Sequence, residues 1–390
     1  MVSDSVSSPA GEDWNPIDPS VLKDQRRAYD EMRERCPVAH SGFMGWSVFG
    51  WDDVDRVLAD PETFSNASRH PAIPNGMDPP AHMRYRAALA PFFSDAAMDR
   101  VERRCGEIAT ELAAAMVDSG RAELLQDFAE PVALRGLCAF LGWRESQWEA
   151  LGGWTHSNQE AALNREPSAA RALAVLLTEH VTRNLEEHRR HEPAHDLTDA
   201  LIALTVDGEG LSDEQLATAL RNWIAGEGTV AGGISLVVLH LAQNPDLQDR
   251  LRRDPSLIPA AVEEILRVDD PLVANRRTTM RPIEVGGRRI EAGETVSLMW
   301  VAANRDPAVF EDAAAVRLDR DHSRSLVWGR GIHVCLGAPF ARLQIRTAIS
   351  QLLRLSASFE MGGEARRAVY PSDALAEFTL QLVGGVEVAR

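Results

Sequence analysis

The spacing of hydrophobic positions changes along this chain, and each change marks an element. From about Ala81 to Leu266 apolar residues recur at three- and four-residue intervals, which predicts helices with one buried face. Ile345, Ala348, Ile349, Leu352 and Leu353 repeat that spacing and predict a buried helix late in the chain. Trp46 to Phe49 reads as a short strand ahead of a helix near Asp52 to Ala59. In Pro282 to Ser297, Ile283, Val285, Ile290 and Val296 alternate with Gly286-Gly287 and Gly293, which predicts short strands and turns. Ala302 to Arg330 is punctuated by proline and aspartate and reads as irregular, and Phe378 to Leu382 is strand-like. The order predicts a mainly α fold with small β-sheets. One domain would span residues 21–390, behind a loose polar arm at residues 1–20.

One predicted helix stands out, Asp213 to His240. Ser212 is placed to cap it, with Asp213 and Glu214 in its first turn. Gly226, Gly228, Gly232 and Gly233 lie inside it, and each costs about 1 kcal/mol against alanine in a helix. Either neighbouring helices pack tightly there, or something else approaches the backbone, or the helix opens locally.

Composition narrows the class. The 390 residues are 45% hydrophobic and 25% charged, ordinary for a globular protein with a large core. A net charge of −17 argues against nucleic acid as a partner. The first residues carry no apolar signal-peptide core, and no apolar run is long and uninterrupted enough for a membrane anchor. Cys36, Cys105, Cys138 and Cys335 show no disulfide framework spacing, so a reducing cytoplasm is expected.

Cys335 carries the most chemistry. It sits in Trp328-Gly329-Arg330-Gly331-Ile332-His333-Val334-Cys335-Leu336-Gly337, a glycine-rich loop with a helix behind it. The N–H groups and positive end of that helix would favour a thiolate. The glycines leave room for something flat against the backbone, and Arg330 and His333 add donors. A lone cysteine is more often a small buried hydrophobe. A zinc site lacks a second Cys/His cluster. A dinucleotide loop fails because Val334 stands where a third glycine would be.

The whole string resembles the haem-binding loop of the cytochrome P450 family, F-G-x-G-x-H-x-C-x-G, departing from it only at Trp328. The resemblance extends from about Trp46 to Leu382, and it is to the soluble bacterial members that tailor natural products. It implies Cys335 as axial ligand of the iron of haem b (iron protoporphyrin IX). His82, Arg86, Arg276 and His333 would contact the haem propionates, with Arg277 as an adjacent alternative to Arg276. Glu264, Arg267 and Arg320 would form a structural network behind the haem. The long helix would cross the distal face with Ala225-Gly226-Glu227-Gly228-Thr229 in place of A-G-x-[D/E]-T. Gly228 thus takes the usual acid's position, and the only carboxylate, Glu227, lies one residue early. One residue rotates a side chain by about 100° on a helix, which puts the usual proton chain in question and leaves Thr229 to hold a hydrogen bond.

Segments at 66–77, 154–171, 272–275 and 375–378 would shape the substrate pocket. Arg69, His70, Asn75, Leu272, Val273, Ala274, Asn275 and Phe378 are its candidates. The resemblance implies a monooxygenase that uses O2 and two electrons to hydroxylate a small, largely apolar substrate in secondary metabolism. The electrons would come from NAD(P)H through a ferredoxin and its reductase, without membrane or nucleic acid. The displaced acid keeps open oxidative C–C or C–N coupling of an aromatic or indole compound without oxygen insertion. A thiolate-haem sensor without turnover is a further alternative.

Overall fold

The structure, a computed structural model, describes residues 12–67, 72–164 and 166–384. Arg69 and His70 lie outside those residues, as do residues 1–11 of the expected arm. The remainder of that arm is not loose. Trp14 is 4% exposed and packs edge-on against Phe49, 5.2 Å between ring centroids. Asp13 binds Arg288 at 2.8 Å. An indole with this much apolar area is worth burying, and the chain around it follows.

The helices that build the site are α1 (Trp51–Ala59), α2 (Ala81–Leu89), α3 (Asp95–Ser119), α4 (Glu130–Leu141), α5 (Trp148–Leu163), α6 (Pro167–Arg190), α7 (Asp213–Gln243), α8 (Ile258–Val268) and α9 (Ala338–Leu355). The strands of the two larger sheets are β1 (Val38–Ser41), β2 (Gly45–Val48), β3 (Phe64–Ser65), β4 (Arg121–Glu123), β5 (Ala274–Thr279), β6 (Thr295–Met299), β7 (Ser356–Met361) and β8 (Thr379–Gly384). One sheet has the order β1-β2-β6-β5-β3, antiparallel except for the β2–β6 pair. A second sheet has the order β7-β8-β4. The helices carry most of the core, and the first sheet forms one flank of the central cavity through Asn275, Arg276 and Arg277 of β5.

The axis of the molecule is α7. Ser212 caps it by accepting from the Gln215 N–H, and the Gln215 side chain accepts from the Ser212 N–H in return, so two otherwise unpaired donors are satisfied. The helix runs on past the expected His240 to Gln243 without breaking. It is the one described helix long and apolar enough to cross a membrane, and 72% of that window is buried within the protein. It therefore serves as a core helix.

Its glycines have separate reasons. A Cβ at Gly232 would lie 2.8 Å from the Ala374 Cβ, and one at Gly233 3.1 Å from Ile345 Cδ1. A Cβ at Gly228 would meet Thr155 and Gln159 of α5 at 2.9 Å. These three allow close packing. Gly226 has nothing within 4 Å of such a Cβ and faces the central cavity.

Candidate active site

Cys335 is held where the irregular segment turns into α9. Its N–H donates to the Trp328 carbonyl at 2.7 Å, closing the loop on itself. Gly329 and Gly331 have φ of +69° and +72°, a region that penalises a side chain. A Cβ at Gly331 would also lie 2.7 Å from the Leu58 carbonyl oxygen of α1. The turn therefore depends on those two glycines. Gly337 lines the cavity with ordinary backbone, its nearest neighbour Phe93 being 3.9 Å from a Cβ position.

The sulfur opens onto the cavity, so Cys335 is exposed by area, yet protein walls it off from bulk water. That desolvation pushes the thiol up, while the Gly337 and Ala338 N–H groups, Arg86 and Arg342 act to pull it down. A positive centre in the cavity would complete the set and hold the sulfur as thiolate. The Trp328 N–H donates to Glu263 at 2.9 Å, and Arg342 lies over the indole at 4.7 Å while also binding Glu263 at 2.7 Å. The ring that departs from the family loop is thus fixed by its own ion pair.

The cavity in front of Cys335 measures about 400 Å³. Asn222, Gly226, Thr229, Val230 and Gly233 form one face of α7 along it, at intervals of three and four residues. Thr229 is exposed only in the sense that it faces this space. Leu272, Trp300 and Phe340 add apolar walls. Leu272, Asn75 and Asn275 line it. Val273 and Phe378 do not: both are core residues, 0% and 1% exposed. Ala274 packs against the same core as Val273. None of the residues described between 154 and 171 lines the main cavity. Thr155, His156 and Gln159 line a smaller one behind α7.

At one edge of the main cavity four basic side chains gather. The His82 and His333 rings lie 4.1 Å apart, and Arg86 donates to the Val334 carbonyl at 2.7 Å. Arg277 is buried, donates to Asn66 at 3.0 Å and adds its charge to the pair of rings. Both nitrogens of His82 and Nε2 of His333 are buried without a hydrogen-bond partner. Burial, then the positive field of His82 and Arg277, holds His333 down to about 3. Burial, then Arg86, lowers His82. Burial also lowers Arg277, to about 10. Buried ring nitrogens without protein partners, beside crowded cations, are well matched to an anion. Arg276, the residue the sequence pattern favours over Arg277, also lines the cavity but donates to the Tyr370 hydroxyl at 2.8 Å.

Behind the loop, Glu264 and Arg267 are both 0% exposed. Arg267 donates twice to Glu264, at 2.8 and 2.9 Å, and also to the carbonyls of Asn304, Ala313 and Ala315. Arg320 donates to Glu264 at 2.7 Å. The fork of Arg267 thereby ties α8 to the irregular segment that carries the cysteine loop.

Glu227 projects from α7 beside Gln344 of α9 and lines both the main and the smaller cavity. It is 4% exposed, its Oε2 has no partner, and burial pushes its carboxyl up to about 8. Gly228 faces α5 and not the main cavity.

Residues 161–361 match the Cytochrome P450 family. The chain is 31% identical over 374 residues to 6-deoxyerythronolide B hydroxylase of Saccharopolyspora erythraea, covering 89% of this chain and 92% of that protein. The chain belongs to the cytochrome P450 family. Cyclomarin C epoxidase CymV of Salinispora arenicola is 30% identical, over 85% of this chain and 89% of that one. Among solved structures, a mutant of P450 EryK in complex with erythromycin B superposes with a TM-score of 0.85 at 26% identity, covering 94% of this chain and 98% of the other. P450BioI in complex with hexadec-9Z-enoic acid ligated acyl carrier protein also reaches 0.85, at 26% identity, covering 93% and 99%.

Haem is the cofactor of this P450, and O2-dependent monooxygenation its reaction. The residues present fit that group. A thiol faces the cavity with helix N–H groups behind it, and at the rim three orphaned ring nitrogens and two arginines suit two carboxylates. Sequence reasoning missed Asn222 and Val230 as cavity residues. Asn222 lies two turns before Thr229, so the spacing alone could have found it. The segment 154–171, expected at the substrate pocket, instead puts His156 on the smaller cavity, which depends on helix packing that no local pattern records.

Proposed function

We propose that this monooxygenase hydroxylates a small, largely apolar natural product in bacterial secondary metabolism. The observation that carries the reading is Cys335 facing a cavity of largely apolar walls with a basic rim on one side. Thiolate-ligated haem supplies the chemistry when bound: with O2, two electrons and two protons it puts one oxygen atom into a substrate C–H bond and releases the other as water.

The chain's residues do the rest. Cys335 would hold the haem iron through its sulfur, with the Gly337 and Ala338 N–H groups stabilising the thiolate. His82, Arg86, His333 and Arg277 would hold the propionates of haem b, and Arg276 lines the same cavity while donating to Tyr370. Thr229 offers a hydroxyl on the face of α7 that crosses the cavity, where it can donate to or accept from a polar group. Leu272, Val230 and Trp300 restrict how an apolar molecule can lie, and that restriction selects which C–H bond reacts. Asn75 and Asn275 offer amides to a polar group at its end. Glu264, Arg267 and Arg320 keep the cysteine loop in place. Residues 21–390 act as one haem domain in the cytoplasm, taking electrons from NAD(P)H through a ferredoxin and its reductase.

Relatives named for hydroxylation and epoxidation support oxygen insertion, and neither coupling without insertion nor a sensor without turnover is favoured. The test is a screen of macrolide, cyclic-peptide and steroid compounds for a spin-state shift, followed by turnover of each hit under 18O2 with a ferredoxin and reductase. The expected product carries one 18O atom. A product without added oxygen refutes hydroxylation. A reduced, CO-bound protein without the thiolate-haem Soret band refutes the ligand.

A further inference from the structure

The acid missing at Gly228 leaves the distal face without its usual proton donor, and the structure offers another. Behind α7 lies a second cavity of about 60 Å³, lined by Glu130, Gly152, Thr155, His156, Gln159 and Glu227. Glu227 alone among its side chains also lines the main cavity. Glu227 therefore borders two spaces on either side of a continuous helix, its buried carboxyl lying between them beside Gln344. Its Oε2 has no hydrogen-bond partner in the protein, an expensive arrangement for a group with no task.

The far end of the small cavity reaches solvent. His156 Nε2 lies 2.7 Å from Glu130 Oε1, and the imidazole is largely exposed. That hydrogen bond, foremost among its influences, raises His156. The pair is a site that can take a proton from water and release it inward. The volume has room for water, and Glu130, Thr155, Gln159 and Glu227 supply the polar partners that water needs. Gly228 fits the same picture. With no side chain it keeps the α5 side of the helix narrow yet leaves the neighbouring wall to Thr155 and Gln159.

We propose that Glu227 relays protons from the His156–Glu130 pair, through the small cavity, to the main cavity beside Thr229. In each transfer the proton on Glu227 leaves from the carboxyl into the main cavity. The carboxylate is then reprotonated through cavity water from His156, which regains its proton from solvent. Charge is conserved at each step and no oxidant or reductant is needed. Burial favours the protonated acid in the resting protein, so the relay begins loaded. The proposal rests on the monooxygenase reading above, because that reaction consumes the protons.

Infrared difference spectroscopy of the resting, haem-loaded protein tests it without turnover. A protonated carboxyl C=O band is expected at neutral pH, lost in Glu227→Gln and shifting on transfer to D2O. In His156→Leu, an exposed substitution that leaves the fold intact, the band should persist while its exchange with D2O slows by about tenfold or more. NADPH oxidation with a surrogate ferredoxin and reductase should fall by about tenfold or more in Glu227→Gln. No band lost in Glu227→Gln overturns the proposal, and so does exchange at the wild-type rate in His156→Leu. The CO-bound spectrum of each variant separates the two readings. A thiolate-haem band with normal D2O exchange in His156→Leu sinks the relay alone, whereas absence of that band in the wild type sinks the monooxygenase reading whatever the infrared shows.

Discussion

Replacing Glu227 by glutamine should remove a pH-dependent load on the fold. In the unfolded chain this carboxyl titrates near 4.5, and in the folded protein burial moves it to about 8. A carboxyl whose folded value lies above its unfolded one binds its proton more tightly in the folded state. Stability is therefore undiminished below the lower value and falls as pH rises between the two, by about 1.4 kcal/mol per unit. Between pH 5 and pH 8 the loss amounts to at most about 3–4 kcal/mol, less by the extent to which water in the adjoining cavity solvates the carboxylate. Glutamine has the same shape and does not titrate. Urea unfolding of wild type and Glu227→Gln at several pH values, read by far-ultraviolet circular dichroism, measures the difference. The variant should gain on the wild type steadily from pH 5 to pH 8. Parallel pH profiles would show that the carboxyl is not desolvated as its surroundings imply, and would refute the electrostatic reasoning.

Arg267→Leu should destabilise the protein by about 3–5 kcal/mol in urea titrations, since it strips a buried carboxylate of its two-pronged partner and three carbonyls of their donor. A cost under about 1 kcal/mol would contradict that. Gly331→Ala should cost about 1–3 kcal/mol and lower haem content, read as the ratio of Soret to protein absorbance, because it combines a φ of +72° with a 2.7 Å approach to the Leu58 carbonyl. Gly226→Ala should do the reverse for the fold, adding about 1 kcal/mol, while weakening substrate-induced spin shifts by narrowing the cavity. Cys335→Ser should lose the thiolate-haem Soret band of the reduced, CO-bound protein, and an unchanged band would mean another ligand.

The cysteine loop was legible in the sequence because its chemistry is local. Glycines at required dihedral angles, a thiol and a helix start fall within ten residues. The helical periods and the Ser212 cap were legible for the same reason. Arg276 and Arg277 were harder to separate. Adjacent strand residues point to opposite faces, and the face that meets His82 and His333 is set by pairing with β6, where Arg277 sits opposite Val296. Phe378 and Val273 look like pocket residues by position, but their burial is decided by sheets and helices distant in sequence. Trp14 likewise found a partner in Phe49 across two intervening helices and a hairpin.

The sequence by itself determined the class of fold, the sulfur and the helix across the cavity. Local spacing encodes helical faces, and short motifs encode turns and donors. Tertiary structure alone decided which arginine joins the two histidines and where the displaced carboxylate points. A helix assigns Glu227 a direction, but only the packing of α4, α5 and α9 around α7 determines whether that direction meets protein, water or cofactor. The same packing raises its proton affinity, because desolvation depends on everything within reach and not on neighbours in sequence.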